Sequence, residues 1–197
     1  PNFAEQSRPV VGKTPYTVLQ LAGKEVYVKE NCMSCHSQMV RPFKNETDRY
    51  GMYSLSGEYA YDRPFLWGSK RTGPDLHRVG NYRSTDWHEN HMKEPATIVP
   101  GSIMPKYPWL FTNAANLETA YAEAVTVKKV FNTPYTAQML TINDENPQAG
   151  FDATKSVILE EAKLIAADMK DPEVKAAIAA GNVPEIVALI AYLNSLK

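Results

Sequence analysis

The sequence predicts an all-α protein, and two observations predict it. Five stretches carry apolar residues at helical spacing, and the segment between residues 40 and 112 holds too much proline and glycine for long regular elements. A third observation concerns chemistry: both cysteines of the 197-residue chain lie in Cys32-Met33-Ser34-Cys35-His36. The length suits one domain, or one domain with a substantial insertion. With 44% hydrophobic and 10% aromatic residues the chain can build a packed core, so global disorder is not expected.

The helices follow in order. The first is expected over about 14–31, with Thr14 as cap, Pro15 at the first helical position, and Val18, Leu21, Ala22 and Val26 recurring on one face. It leads straight into the cysteine motif. A second covers 116–131, with Leu117, Ala120, Tyr121, Ala124, Val127 and Phe131 on one side and Pro134 beyond its end. A third is expected over about 153–169 behind Asp152. A short fourth opens at Asp171-Pro172 and stops at Gly181. The last covers about 183–196, where Asn182 and Glu185 have capping-box spacing and Ile186, Leu189, Ile190, Leu193 and Leu196 form the apolar stripe. The irregular middle is rich in Tyr, Trp and Phe. Such a segment needs something to pack around: a bound cofactor, or simply the helices.

Charge excludes little but is informative. A formal net charge of −1 gives no support to a nucleic-acid partner. Residues 1–111 hold 14 basic and 11 acidic side chains and the remainder 7 and 11, an asymmetry that an ordinary solvated surface also explains. No run of about 18 apolar residues occurs, so the sequence contains no membrane span. It begins at Pro1 rather than methionine, which suggests that a signal peptide, an anchor or another upstream segment was removed.

Three chemistries compete for the cysteine motif. A dithiol redox pair needs only C-x-x-C, usually at a helix start after a strand, whereas here a helix precedes it. Zinc needs four ligands, and Cys32 and Cys35 would have to recruit His77, His88 or His91 with no second paired spacing. Attachment of haem c uses the full C-x-x-C-H: two sulfurs add to two vinyl groups, and the following histidine places its imidazole under the iron. The last explains all three residues and is favoured.

The surroundings resemble class I cytochromes c. In that family an N-terminal helix runs into the motif and crosses a C-terminal helix, a small residue on one meeting an aromatic on the other. Gly23 and Tyr27 stand on the first helix here, and Ala191-Tyr192-Leu193 on the last. The stretch Thr72-Gly73-Pro74-Asp75-Leu76 is similar to the family's Gly-Pro-x-Leu. The resemblance implies that the Pro74 carbonyl accepts from His36 Nδ1, that Leu76 packs on the haem face, and that His36 and a distal methionine ligate iron. Met104, in Gly101-Ser102-Ile103-Met104-Pro105, stands where the family places that methionine. Met33, Met39, Met52, Met92, Met139 and Met169 are weaker candidates, and His77, His88 and His91 are the rivals.

A narrower resemblance covers about 110 residues, most of 12–111 and again 184–196. The strings HSQMVRPF, ETDRYGMYS, GEYAYDRPFLWGSKRTGPDL, RVGNYRSTDWH and MPKYPWL are similar to the mono-haem subunit II of cbb3-type cytochrome c oxidases. The resemblance implies an electron-transfer subunit that itself catalyses nothing. It carries one covalent haem c and passes electrons from a di-haem cytochrome c subunit, or a soluble donor, to the haem b of the catalytic haem–copper subunit. It also implies the periplasmic face of the bacterial inner membrane and a membrane helix outside this sequence. Residues 1–13 then read as a membrane-proximal linker and 14–197 as the cytochrome c domain, with a helical insertion at about 112–181. Within the resembling stretch, Arg71 is expected at a haem propionate and Trp67 in the haem pocket. A free-standing periplasmic electron shuttle and a zinc-stabilised interaction module are the competing functions.

Overall fold

In the computed structural model residues 8–197 are described, so residues 1–7 of the expected linker lie outside the described residues. The rest of that linker runs beside residue 57, with the Val10 amide donating to the Gly57 carbonyl at 3.2 Å. Eight α-helices occur among the described residues: α1 (Val18–Lys29), α2 (Lys44–Tyr50), α3 (Thr85–Lys93), α4 (Pro95–Ile98), α5 (Leu117–Phe131), α6 (Pro147–Ala167), α7 (Pro172–Ala179) and α8 (Glu185–Ser195). None is long and apolar enough to cross a membrane.

The core forms where α1 crosses α8. Every residue of α8 from Ile186 to Leu193 is buried, as expected of a helix apolar on all sides and surrounded by others. Gly23 lets the two backbones touch. A Cβ built there would lie 1.9 Å from the Ala188 carbonyl oxygen and 2.8 Å from Tyr192 Cβ, so no larger residue fits. One turn on, Tyr27 meets Tyr192 edge-on with ring centroids 5.5 Å apart.

Helix starts depart from expectation for local reasons. The first helix begins at Val18, because Thr17 and Gln20 form a reciprocal capping box with both bonds at 3.1 Å. Pro15 therefore precedes the helix. The third expected helix starts earlier, at Pro147, capped by the Asn146 side chain on the Ala149 amide. Asp152 lies inside it and accepts from Gln148. The last expected helix has no capping box. Glu185 is drawn instead to Lys29 at 2.6 Å, which pins the end of α1 to the start of α8. By contrast Asp171 caps α7 at the expected start, and Asn116, the first residue of the expected second helix, caps α5.

Residues 112–181, the expected insertion, pack α5 and α6 onto α1, and α6 onto α8. One apolar cluster runs through all of them. Between residues 40 and 112, where proline and glycine lead one to expect no long helix, the longest has nine residues, Thr85–Lys93. Buried charge organises this region. Lys24 reaches Asp62 at 2.9 Å and the Pro64 carbonyl at 3.1 Å, while Arg78 pairs with Glu58 and donates to the Lys197 carbonyl.

Candidate functional site

The cysteine motif forms as α1 ends. Glu30 closes the helix, Asn31 turns the chain through a left-handed conformation (φ 56°), and Cys32–Ser34 make one 3-10 turn. Amides of Cys35 and His36 both donate to the Cys32 carbonyl, at 3.2 and 3.0 Å. The two sulfurs thus leave one tight turn, with His36 immediately after. Both cysteines are free thiols: Cys32 is half-buried and Cys35 exposed. Burial, reinforced by the Glu30 charge, pushes the Cys32 thiol up to about 12.

A second segment fastens alongside the first. The Gly73 amide donates to the Cys35 carbonyl (3.0 Å), His36 Nδ1 to the Pro74 carbonyl (2.7 Å), and the Leu76 amide to the Ser37 carbonyl (2.8 Å). A carbonyl can only accept, so Nδ1 carries the proton and Nε2 keeps its lone pair. Burial lowers the His36 pKa while the Pro74 bond and the Asp75 charge act to raise it. Gly73 is needed here as a cradle. A Cβ at that position would lie 2.2 Å from His36 Cε1 and would displace the ring.

Cys32, Met33, Leu76, Met104 and Tyr107 are half-buried and pack against the main core. Met104 follows a turn at Gly101 (φ 80°), and its amide donates to Ser102 Oγ at 3.2 Å. Three residues later the Tyr107 amide donates to the Met92 carbonyl at 2.9 Å, which ties the Met104 loop to α3. Burial, with the charges of Cys32, Glu30 and Cys35, raises the Tyr107 hydroxyl to about 12.

The histidines named as rivals differ in how they are held. His77 is stacked on Tyr59 with centroids 4.7 Å apart, and its Nδ1 lies 2.6 Å from Ser54 Oγ. It is committed to that network, and burial, with Arg78 nearby, lowers it to about 4. His91 stacks on Trp87 at 4.4 Å, and Arg83 covers the other ring system at 4.3 Å. His88 is buried with neither ring nitrogen paired, and burial, helped by His91 and Arg83, holds it near 4, so it is neutral at pH 7.

Arg71 and Trp67, the other two expected cofactor contacts, each have partners within the protein. The Arg71 guanidinium, expected at a propionate, is taken up by the protein: Nε donates to Ser37 Oγ (2.6 Å), and its terminal nitrogens reach the Met39 carbonyl (2.9 Å), Glu46 (2.7 Å) and Asp75 (3.4 Å). These acceptors leave little of the fork for another carboxylate. Trp67 is 40% exposed and lies flat on Phe65, with centroids 4.6 Å apart and an interplanar angle of 10°. Its carbonyl accepts from the Gln38 amide at 2.8 Å, so the Trp67 backbone borders the attachment loop while its ring faces outward.

The residues missed by sequence reasoning are Ser37, Glu46 and Asp75, which surround Arg71. The spacing of Arg71 and Asp75, four apart with Asp75 directly after Pro74, was the available signal.

The residues present fit a c-type haem. Two unpaired thiols leave one turn, the imidazole tautomer frees Nε2, and glycine gives the ring its place. Among the described residues no three His, Cys, Asp or Glu side chains gather as a metal-ion site of their own. Comparison with curated proteins gave no match. A family model described as "Cytochrome C oxidase, mono-heme subunit/FixO" matches residues 1–197.

Proposed function

Because the chain belongs to the FixO family of mono-haem cytochrome c oxidase subunits, we propose that Cys32 and Cys35 would hold one covalent haem c whose iron His36 and Met104 would ligate. The chain then relays electrons to the oxidase's catalytic subunit. Bound there, the haem supplies a one-electron Fe(II)/Fe(III) couple.

Everything else falls to the protein's own residues. Pro74 holds the His36 proton on Nδ1 and so presents Nε2. Gly73 leaves the room that the ring needs. Leu76, Met33 and Tyr107, half-buried against the core, would give the haem apolar contact. Met104 would contribute a thioether, a ligand that favours ferrous iron and leaves no open site for oxygen. On this reading electrons arrive from a di-haem cytochrome c subunit or a soluble donor and leave for a haem b of the catalytic subunit. The subunit works at the periplasmic face of the inner membrane, attached through a helix outside this sequence.

The observation that carries the reading is the 2.7 Å bond from His36 Nδ1 to the Pro74 carbonyl, one residue beyond a turn bearing two free thiols. A dithiol redox pair requires no histidine held in that tautomer, and a zinc site needs four ligands, which do not gather among the described residues. The test is the intact mass and the reduced absorption spectrum of the purified protein. One added haem with a low-spin ferrous spectrum is expected. A mass equal to the bare polypeptide would end the reading.

A further inference from the structure

Two buried carboxylates, Glu46 and Asp75, stand behind His36 with one guanidinium shared between them. The Asp75 side chain is fully buried and that of Glu46 is 3% exposed. Charge so placed costs several kcal/mol unless it is paired and hydrogen-bonded. Here it is both. Asp75 Oδ2 accepts from Ser37 Oγ (2.6 Å) and the Met39 amide (2.8 Å), and Oδ1 accepts from the His77 amide (2.9 Å). Glu46 accepts from the Arg41 amide (2.8 Å) and from Arg71 (2.8 Å).

The location matters more than the count. Ser37 and Met39 are the first and third residues after His36, and Asp75 directly follows Pro74. One carboxylate therefore clamps the imidazole-bearing segment to the segment whose carbonyl orients that imidazole. Arg71 closes the same clamp from the other side, through Ser37 Oγ and the Met39 carbonyl.

We infer that Asp75 and Arg71 are positioning residues for His36, and that the balance of their opposite charges sets the redox poise of the iron it holds. The inference rests on the haem reading above. A negative charge close to the iron in a poorly screened interior favours Fe(III), and a positive one favours Fe(II). Removing either charge should therefore move the poise in opposite directions. A clamp with a purely mechanical role predicts something else: loosening it from either side would move the poise the same way, or not at all.

The test uses the haem-loaded chain, with intact mass recorded first and a redox titration followed by visible absorption. Asp75→Asn keeps shape and removes charge. It should raise the ferrous-to-ferric ratio at fixed ambient potential about tenfold, which is about 59 mV in a one-electron couple. Arg71→Gln should lower the ratio by a similar factor. Arg71→Lys keeps the charge but loses the fork, and should stay within about threefold of the unsubstituted protein. Shifts of the same sign in Asp75→Asn and Arg71→Gln, an unmoved poise, or Arg71→Lys behaving like Arg71→Gln would each overturn the inference. So would failure of Asp75→Asn to load haem, since the role would then lie in building the site. An unsubstituted protein with no haem mass would sink the functional reading instead, which keeps the two failures distinct.

Discussion

Gly23 and Tyr192 meet at the crossing of α1 and α8 so closely that a Cβ on the glycine would lie 2.8 Å from Tyr192 Cβ, and closer still to the Ala188 carbonyl. In an open helix, alanine would be better than glycine by about 1 kcal/mol. Here the sign reverses. Gly23→Ala should destabilise the protein by about 1–3 kcal/mol, the range for forced overpacking. Equilibrium denaturation checks this, and a variant as stable as its parent would mean that the two helices part without cost.

Gly73→Ala brings a different clash. The added carbon would meet His36 Cε1 at 2.2 Å, and the Pro74 bond cannot survive the ring movement that relieves it. The cysteines are untouched, so one covalent haem should remain by mass. The axial field should change, seen as a high-spin component in the ferric spectrum.

Met104→Ala removes the thioether and leaves Cys32, Cys35 and His36 in place. Haem attachment should persist while the sulfur-to-iron absorption disappears. The potential should fall by roughly 100–200 mV, about 2–5 kcal/mol in a one-electron couple. Oxygen consumption by the assembled oxidase should then drop at least tenfold, since electron delivery to the subunit runs uphill. Retention of the parent spectrum would move the ligand elsewhere, first to His88 or His91, because His77 is already held by Ser54 and Tyr59.

Glu46 gives a pH prediction with a definite sign. Hydrogen bonds from Arg71 hold its carboxyl at about 2, against an ordinary 4.5, even though burial pushes the other way. A depressed folded-state pKa contributes stability that is complete above the ordinary value and is lost as pH falls toward about 2. Stability should therefore decline between about pH 5 and 2, and Glu46→Gln should flatten that decline. Denaturant midpoints taken across this range decide it.

A run of exposed apolar side chains gives the last prediction. Phe43, Met52, Tyr53, Phe65 and Trp67 are each at least 40% exposed, and they all fall within residues 43–72. Scattered exposed apolar residues need no explanation, but five in one stretch, two of them stacked, suit an interface. Oxidative footprinting of the assembled oxidase should show Phe65 and Trp67 protected relative to the isolated chain. Equal labelling in both would favour a freely diffusing carrier.

Much of the architecture was legible in the sequence because helices announce themselves by period. The stripe on α8, the first part of that on α5 (Leu117 to Ala124) and the Asp171-Pro172 start of α7 match the structure for that reason, whereas Phe131 at the end of the α5 stripe is 54% exposed. Starts were less legible where two caps competed. Thr17 and Gln20 satisfy each other and displace Thr14, and Asn146-Pro147 precedes Asp152. Helix α3, TDWHENHMK, went unseen because its buried face is made of Thr85, His88, Glu89 and Met92, only one of them apolar. The site divides in the same manner. Cys32, Cys35 and His36 are adjacent in the chain and could be read directly, whereas the arrangement of Arg71 could not. Its partners come from positions 37, 39, 46 and 75, and ion pairs across such separations leave no periodic trace.

The isolated bridge beside Pro184 has a consequence for how the chain is threaded. The Ala115 amide donates to the Val183 carbonyl and the Glu185 amide to the Asn113 carbonyl, both at 2.8 Å. Everything between these points, α5, α6 and α7 included, leaves and returns through a single doorway. In polymer terms it is a closed loop whose ends are already pinned, and doubling or halving its length changes the closure cost by only about 0.6 kcal/mol. The segment is thus free to grow or shrink without re-routing the strands of chain that hold His36. What limits its excision is the apolar flank of α1 that α5 covers: a tight turn grafted across the doorway would need new polar residues on that flank to remain in solution.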